Sequence, residues 1–242
     1  MERSSAARPC ASSDPRALWT PTTSPPRLRP EALLAEGAYL ELRRREGAAL
    51  AALRARRRLR VTPALTLLFE GHETVLTQIY EQLRVEGWSP ARARRELDTY
   101  ACLVPDRGRL CVTAMIDGGD RAHAVALLAA LRAGGLRLRC AALRCVAAPF
   151  DADDDDPVQY LRVAAPPELA AALAADAPAH LELDAVGICA RVPLPAPLRR
   201  ELVCDLRGGP ASTPLLRGAD AQRIITHPKG RHDVHTRHQT RP

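Results

Sequence analysis

Apolar positions along the chain repeat with two periods, and each period predicts its own elements. Over residues 31–58, Ala35, Tyr39, Leu42, Leu50 and Leu53 share one face of a helical wheel, while Arg43, Arg44, Arg54 and Arg58 take the opposite faces. Glu46 and Arg57 fall on the apolar face as well. Gly37 and Gly47 each weaken this helix by about 1 kcal/mol relative to Ala, which allows a break within it. Residues 59–70 read as extended, with Pro63 limiting the first half. A helix over 73–87 puts Val75, Leu76, Ile79, Tyr80 and Leu83 on its apolar side.

Ser89-Pro90 is a helix N-cap followed by proline at the first helical position. The helix it starts aligns Ala93, Leu97, Tyr100, Ala101 and Val104, and Pro105 stops it. Residues 109–116 predict a strand, and Asp120 caps a helix ending before Gly134-Gly135. A strand over 136–147 follows, then an acidic loop at Asp151–Asp156 and a strand over 157–163. A proline-initiated helix at 166–175, extended segments over 180–192 and a helix at 195–206 complete the pattern. The last helix sets Leu198, Leu202 and Leu206 on one side. Strands and helices without a βαβ rhythm predict an α+β fold, a mixed or antiparallel sheet packed by several helices.

Residues 1–26 and 208–242 have no apolar period and read as a disordered extension and a flexible basic tail, leaving 27–207 as one domain. Composition adjusts this picture in three places. Aromatics are only 3% of the chain, so Leu, Val and Ala must build the core. The net charge of +7 is uneven: +4 lies in 208–242 and +1 in 1–26, so the domain is nearly neutral and nucleic-acid binding is not expected of it. Lys229 is the only lysine among 35 basic residues, a bias typical of a GC-rich bacterial genome. The seven cysteines form no Cys-x-x-Cys pair and read as reduced, buried thiols of a cytoplasmic protein. No apolar run approaches the ~18 residues of a membrane span.

Candidate chemistry gathers in residues 70–87, where Glu70, His72, Glu73, Gln78, Glu81, Arg84 and Glu86 lie close in sequence. Glu73, Thr77, Glu81 and Arg84 fall on the face expected to meet solvent. Glu86 falls on the apolar side, which places it either at a frayed helix end or in a buried pair; Arg57 or Arg58 at the end of the first helix is the predicted partner. Glu70 and His72 have strand spacing but lack further metal ligands, so a turn or capping role suits His72 better. His227, His232, His235 and His238 are weak candidates for a divalent cation, and no cofactor is expected. No phosphate-binding glycine motif and no nucleophile elbow is present, so the sequence leans away from an enzyme.

Residues 66–87, Glu96-Leu-Asp-Thr-Tyr100, Leu103-Val-Pro105 and Leu110 through Asp117 resemble the bacterial domain-of-unknown-function family 3501. The likeness extends upstream to Tyr39, Arg43, Arg57 and Arg58, and downstream to Gln159 through Arg162 and Pro193 through Leu206. Gln82 stands where the family usually has Met, Asp117 where it usually has Glu, and Val163 where it has an aromatic. Genes of that family lie beside those for rubrerythrin-like proteins and iron–sulfur oxidoreductase subunits. The resemblance therefore implies an accessory protein with an iron–sulfur or rubrerythrin-like partner. It also implies a shared polar site at Arg57, Arg58, Glu70, Gln78, Glu81, Arg84, Glu86 and Tyr100. The alternative is an enzyme or small-ligand binder using the same cluster.

Overall fold

A computed structural model of the chain describes residue 28, residues 33–151 and residues 155–208. Apart from Gly208, the predicted tails, with the four tail histidines, lie outside the described residues. Six α-helices and eight strands form one α+β domain. In chain order these are α1 (Glu36–Arg57), β1 (Arg58–Thr62), β2 (Leu65–Phe69), α2 (His72–Glu86), α3 (Pro90–Tyr100), β3 (Arg109–Ile116) and α4 (Arg121–Arg132). Then come β4 (Leu136–Cys140), β5 (Leu143–Pro149), β6 (Val158–Ala164), α5 (Glu168–Ala174), β7 (Ala179–Ala185), β8 (Ile188–Pro193) and α6 (Ala196–Leu206).

The strands make a single sheet in the order β1-β2-β3-β6-β5-β4-β7-β8, and every neighbouring pair is antiparallel. One face is continuous apolar surface. Leu65, Leu67 and Phe69 of β2, Leu110, Val112 and Ala114 of β3, and Leu136 and Leu138 of β4 all point into it. Leu127 and Leu131 of α4, Leu169 and Leu173 of α5, and Leu198, Leu202 and Leu206 of α6 complete that core. The edge strands β1 and β8 come within 8 Å of each other without pairing, so the sheet is strongly curled.

The other face divides in two. Over β2, β3 and β6 it is covered by α1, α2 and α3, whose Tyr39, Leu42, Leu50, Ile79, Tyr80, Leu83 and Leu97 form a second core with the half-buried Tyr160. That is why β3 is buried on both sides, with Cys111 and Thr113 under the helices. Over β5, β4, β7 and β8 the face carries arginine, histidine and carboxylate side chains instead.

Local signals in the sequence hold where their chemistry is complete. Ser89 Oγ accepts from Arg92 N at 3.2 Å with Pro90 behind it, and Asp120 Oδ1 accepts from His123 N at 2.8 Å. The glycines do not break α1, which runs unbroken for 22 residues. Two expected single segments are hairpins, 59–70 as β1–β2 and 136–147 as β4–β5, and the extended segments over 180–192 pair as β7–β8. The β4–β5 turn has no glycine or asparagine to mark it, and Ala141 takes φ 50° there. Of the cysteines, Cys111, Cys140 and Cys145 are buried as expected, but Cys189 is exposed.

Candidate functional site

The polar cluster is organised by the junction of β2 with α2. Glu70 ends the strand, its N–H donating to Cys111 O at 2.8 Å, and the helix begins one residue beyond Gly71. Thr74 Oγ1 accepts the Gly71 N–H at 2.8 Å, so Thr74 caps the helix and His72 does not. Gly71 has extended backbone that any residue adopts, yet a Cβ there would stand 2.6 Å from the Arg57 guanidinium carbon. The glycine is the floor on which Arg57 lies.

Arg57 is 1% exposed. Its Nη1 donates to Asp205 Oδ2 at 2.8 Å and to Glu70 O at 3.2 Å, and its Nη2 donates to Asp205 Oδ1 and Glu201 Oε2, both at 3.0 Å. Arg56 reaches Glu201 Oε1 from outside at 3.3 Å. Burial works against the Arg57 charge, but Asp205 and then Glu201 outweigh it and hold the guanidinium above its ordinary range. The expected Glu86 pairing is therefore wrong. Arg57 is buried and paired, but with α6. Glu86 sits at the exposed last residue of α2 and reaches over the Gly87 turn to Arg92 of α3. Arg58 is exposed on β1.

Glu70 is 6% exposed and is held by hydroxyls: Oε1 accepts from Thr113 Oγ1 at 2.6 Å and Oε2 from Thr74 Oγ1 at 2.5 Å. Burial pushes its carboxyl up against the pull of those bonds. The strand spacing of Glu70 and His72 does not put them on one strand face, because the chain turns into α2 between them. His72 Nδ1 lies 3.8 Å from Glu73 Oε1 instead.

The face expected to be open is half enclosed. Glu73 and Thr77 are buried because α1 packs on one side of α2 and α3 on the other. Glu73 Oε2 is buried and has no hydrogen-bond partner among the described residues. Glu81 lies in the α1–α2 seam and accepts from Tyr39 Oη at 2.5 Å, Arg43 Nε at 2.7 Å and Arg84 Nε at 2.9 Å. Partial burial opposes its charge, yet those three bonds hold its carboxyl at about 2. Tyr39 in turn stacks on Tyr80 at 4.5 Å between ring centroids, and Tyr80 on Trp88 at 5.9 Å. Gln78 is half-buried on α2, and Tyr100 meets Tyr160 edge-on at 6.4 Å. Of the eight expected site residues, Arg57 donates to Glu70 O and Glu81 pairs with Arg84, whereas Arg58 and Glu86 lie exposed.

Among the described residues no group of three or more His, Cys, Asp and Glu side chains could hold a metal ion. No described helix is long and apolar enough to cross a membrane. A shallow depression of about 470 Å³ is lined by Arg60, Val61, Thr62 and Pro63 in the β1–β2 hairpin, away from the cluster. Sequence reasoning missed Glu201 and Asp205, whose spacing of four residues beside the Leu198–Leu202–Leu206 stripe was the available signal. It also missed the polar half of the sheet. Leu136-Arg-Leu-Arg-Cys140 and His180-Leu-Glu-Leu-Asp184 display it by strict alternation.

Comparison with known proteins places this geometry. A family model described as "Protein of unknown function (DUF3501)" matches residues 27–206. A crystal structure of a protein of unknown function from Burkholderia pseudomallei K96243 is 29% identical, with a TM-score of 0.66. The match covers 74% of this chain and 99% of that one. Among curated proteins no relative matches.

Proposed function

The chain belongs to the DUF3501 family, and we propose that it acts as an accessory protein for an iron–sulfur or rubrerythrin-like redox partner, binding that partner rather than converting a substrate. One observation carries the reading: Arg57 and Glu81, two ionised groups of the candidate cluster, are consumed within the fold. Arg57 is neutralised by Asp205 and Glu201, and Glu81 by Arg43 and Arg84. Groups so engaged hold α1, α2 and α6 together, and that leaves recognition to the outer surface. The partner class follows the family resemblance. Calorimetric titration of the full chain with a purified rubrerythrin-like protein and with a purified iron–sulfur subunit tests it. A saturable isotherm with a dissociation constant near the micromolar range, about 8 kcal/mol, is expected with one of them. Absence of binding to both overturns the reading.

A second reading, small-ligand binding at the cluster, has one observation in its favour. Glu73 is 4% exposed, with a carboxylate oxygen that no described residue satisfies. Such a group costs stability unless a ligand meets it. Glu73→Met then raises the melting temperature of the free protein, whereas a fall assigns Glu73 a structural role and removes this reading.

A further inference from the structure

We propose that the half of the sheet left open by the described residues, the outer face of β5, β4, β7 and β8, is the docking surface for the acidic surface of a protein partner. The proposal rests on the accessory reading above and adds where, and by what chemistry, the partner sits.

The pleat places charged side chains on this face because the alternate positions fill the core. Leu136, Leu138 and Cys140 point inward on β4, so Arg137 and Arg139 point outward. Arg144 and Arg191 do the same on β5 and β8. Arg162 on β6 lies 5.9 Å from the Phe150 ring at the margin. Against these five arginines the face carries Glu182 and Asp184 of β7. Glu182 serves Arg139 at 3.8 Å and His180 at 3.0 Å, and Asp184 serves Arg137 at 3.4 Å. Among the described residues no carboxylate pairs with Arg144.

The register makes this excess costly. Arg139 stands directly opposite Arg144 on one side and His180 on the other. Like charges directly opposite on a sheet face destabilise it. A cross-strand arginine pair in the middle of a sheet is relieved when carboxylates from outside bridge it. The next row alternates in sign: Arg137 faces Glu182, which faces Arg191. A row of alternating charge fits a protein surface of mixed but mainly acidic side chains. It opposes a phosphate backbone, which is negative throughout, and among these outward-facing positions no Phe, Tyr or Trp stands on β4, β5, β7 or β8 to stack a base. Four strands about 4.8 Å apart, with about 3.3 Å per residue, cover roughly 15 Å by 15 Å. That is the footprint of a transient encounter rather than of a permanent assembly.

The register also supplies a decisive variant. Arg144→Glu turns a like-charge pair into an attractive one, so it weakens docking while stabilising the fold. Arg94→Glu, on an exposed position of α3, makes the same change in net charge within the helical layer. Fluorescence anisotropy of the full chain against a fluorescein-labelled oligo-glutamate peptide reads the docking. Arg144→Glu is expected to weaken binding about threefold to tenfold and to raise the melting temperature by about 1–3 °C. Arg94→Glu is expected to leave binding near that of the unaltered chain. The proposal is overturned if Arg144→Glu binds unchanged, or if both variants weaken alike, since net charge alone then explains the binding. It is also overturned if a labelled DNA duplex binds tenfold more tightly than the peptide and shows the same loss in Arg144→Glu. If the Arg144→Glu result holds while neither purified redox protein binds, the surface stands and the redox partner class fails. If a redox protein binds indifferently to Arg144→Glu, the partner class stands and the surface fails.

Discussion

Glu70 and Glu81 are eleven positions apart in sequence and respond to pH with opposite sign. Burial lifts Glu70 above the ordinary carboxylate range, against the bonds from Thr113 and Thr74. Its folded value lies above the unfolded value of about 4.3, so its contribution to stability is full below about pH 4.3 and is lost as pH rises through the folded value. Glu81, held at about 2 by Tyr39, Arg43 and Arg84 despite partial burial, contributes above the unfolded value and loses that contribution as pH falls toward 2. Glu81→Gln therefore flattens the acid limb of the stability curve, and Glu70→Gln flattens the decline above pH 4.3. Denaturant unfolding between pH 2 and 8 checks both, and curves parallel to the unaltered chain would refute the assignment. At this scale the sequence placed Arg57 correctly, because a helical wheel needs only neighbours in the chain. Its partners were not legible, since Asp205 and Glu201 lie 148 and 144 residues away. Glu86 misled for the opposite reason: at the last residue of α2 the wheel says nothing about what lies opposite. Asp205→Asn is accordingly expected to cost about 3–5 kcal/mol, by stranding a buried guanidinium, and Glu86→Gln to stay within about 0.5 kcal/mol of neutral. Equal effects in denaturant melts would return the buried partner to Glu86.

Elements were readable where their start and stop chemistry is carried by particular residues. Ser89-Pro90 and Asp120 marked two helix starts to the residue. Extended runs were readable as extended, but their turns were not. Cys140-Ala-Ala-Leu143 makes a hairpin with two alanines because the flanking alternation, not the turn, drives the pairing. The cost of Ala141 at φ 50° is borne locally. Ala141→Gly should remove it and stabilise the protein by about 0.5–1 kcal/mol. Gly47 presents the reverse case. It lies inside unbroken α1, and a Cβ there meets nothing within 4 Å. Gly47→Ala should add about 1 kcal/mol. Thermal melts of the two variants check both, and a loss at either position would show that its glycine or alanine answers to packing.

The α+β class followed from the two periods, but the strand order did not. No local pattern says that β6 enters between β3 and β5, or that β4 rather than β5 meets β7. The division of the outer face also lay beyond the sequence, because Thr113 under α2 and Arg139 in the open are both outward positions of ordinary strands. The closure of α6 onto α1 through Arg57 has a further consequence, in time. The contact joins residues near the beginning of the domain to residues near its end, so the chain must be almost complete before the Arg57 charge can be neutralised. Long loops are closed at an entropic cost before their contacts reward it. The guanidinium therefore stays hydrated while the sheet assembles, and docking of α6 expels its water as a late event. Asp205→Asn should then accelerate unfolding and leave the refolding rate nearly unchanged in stopped-flow chevrons. A refolding limb slowed in proportion to the lost stability would instead place the closure of α6 at the nucleus.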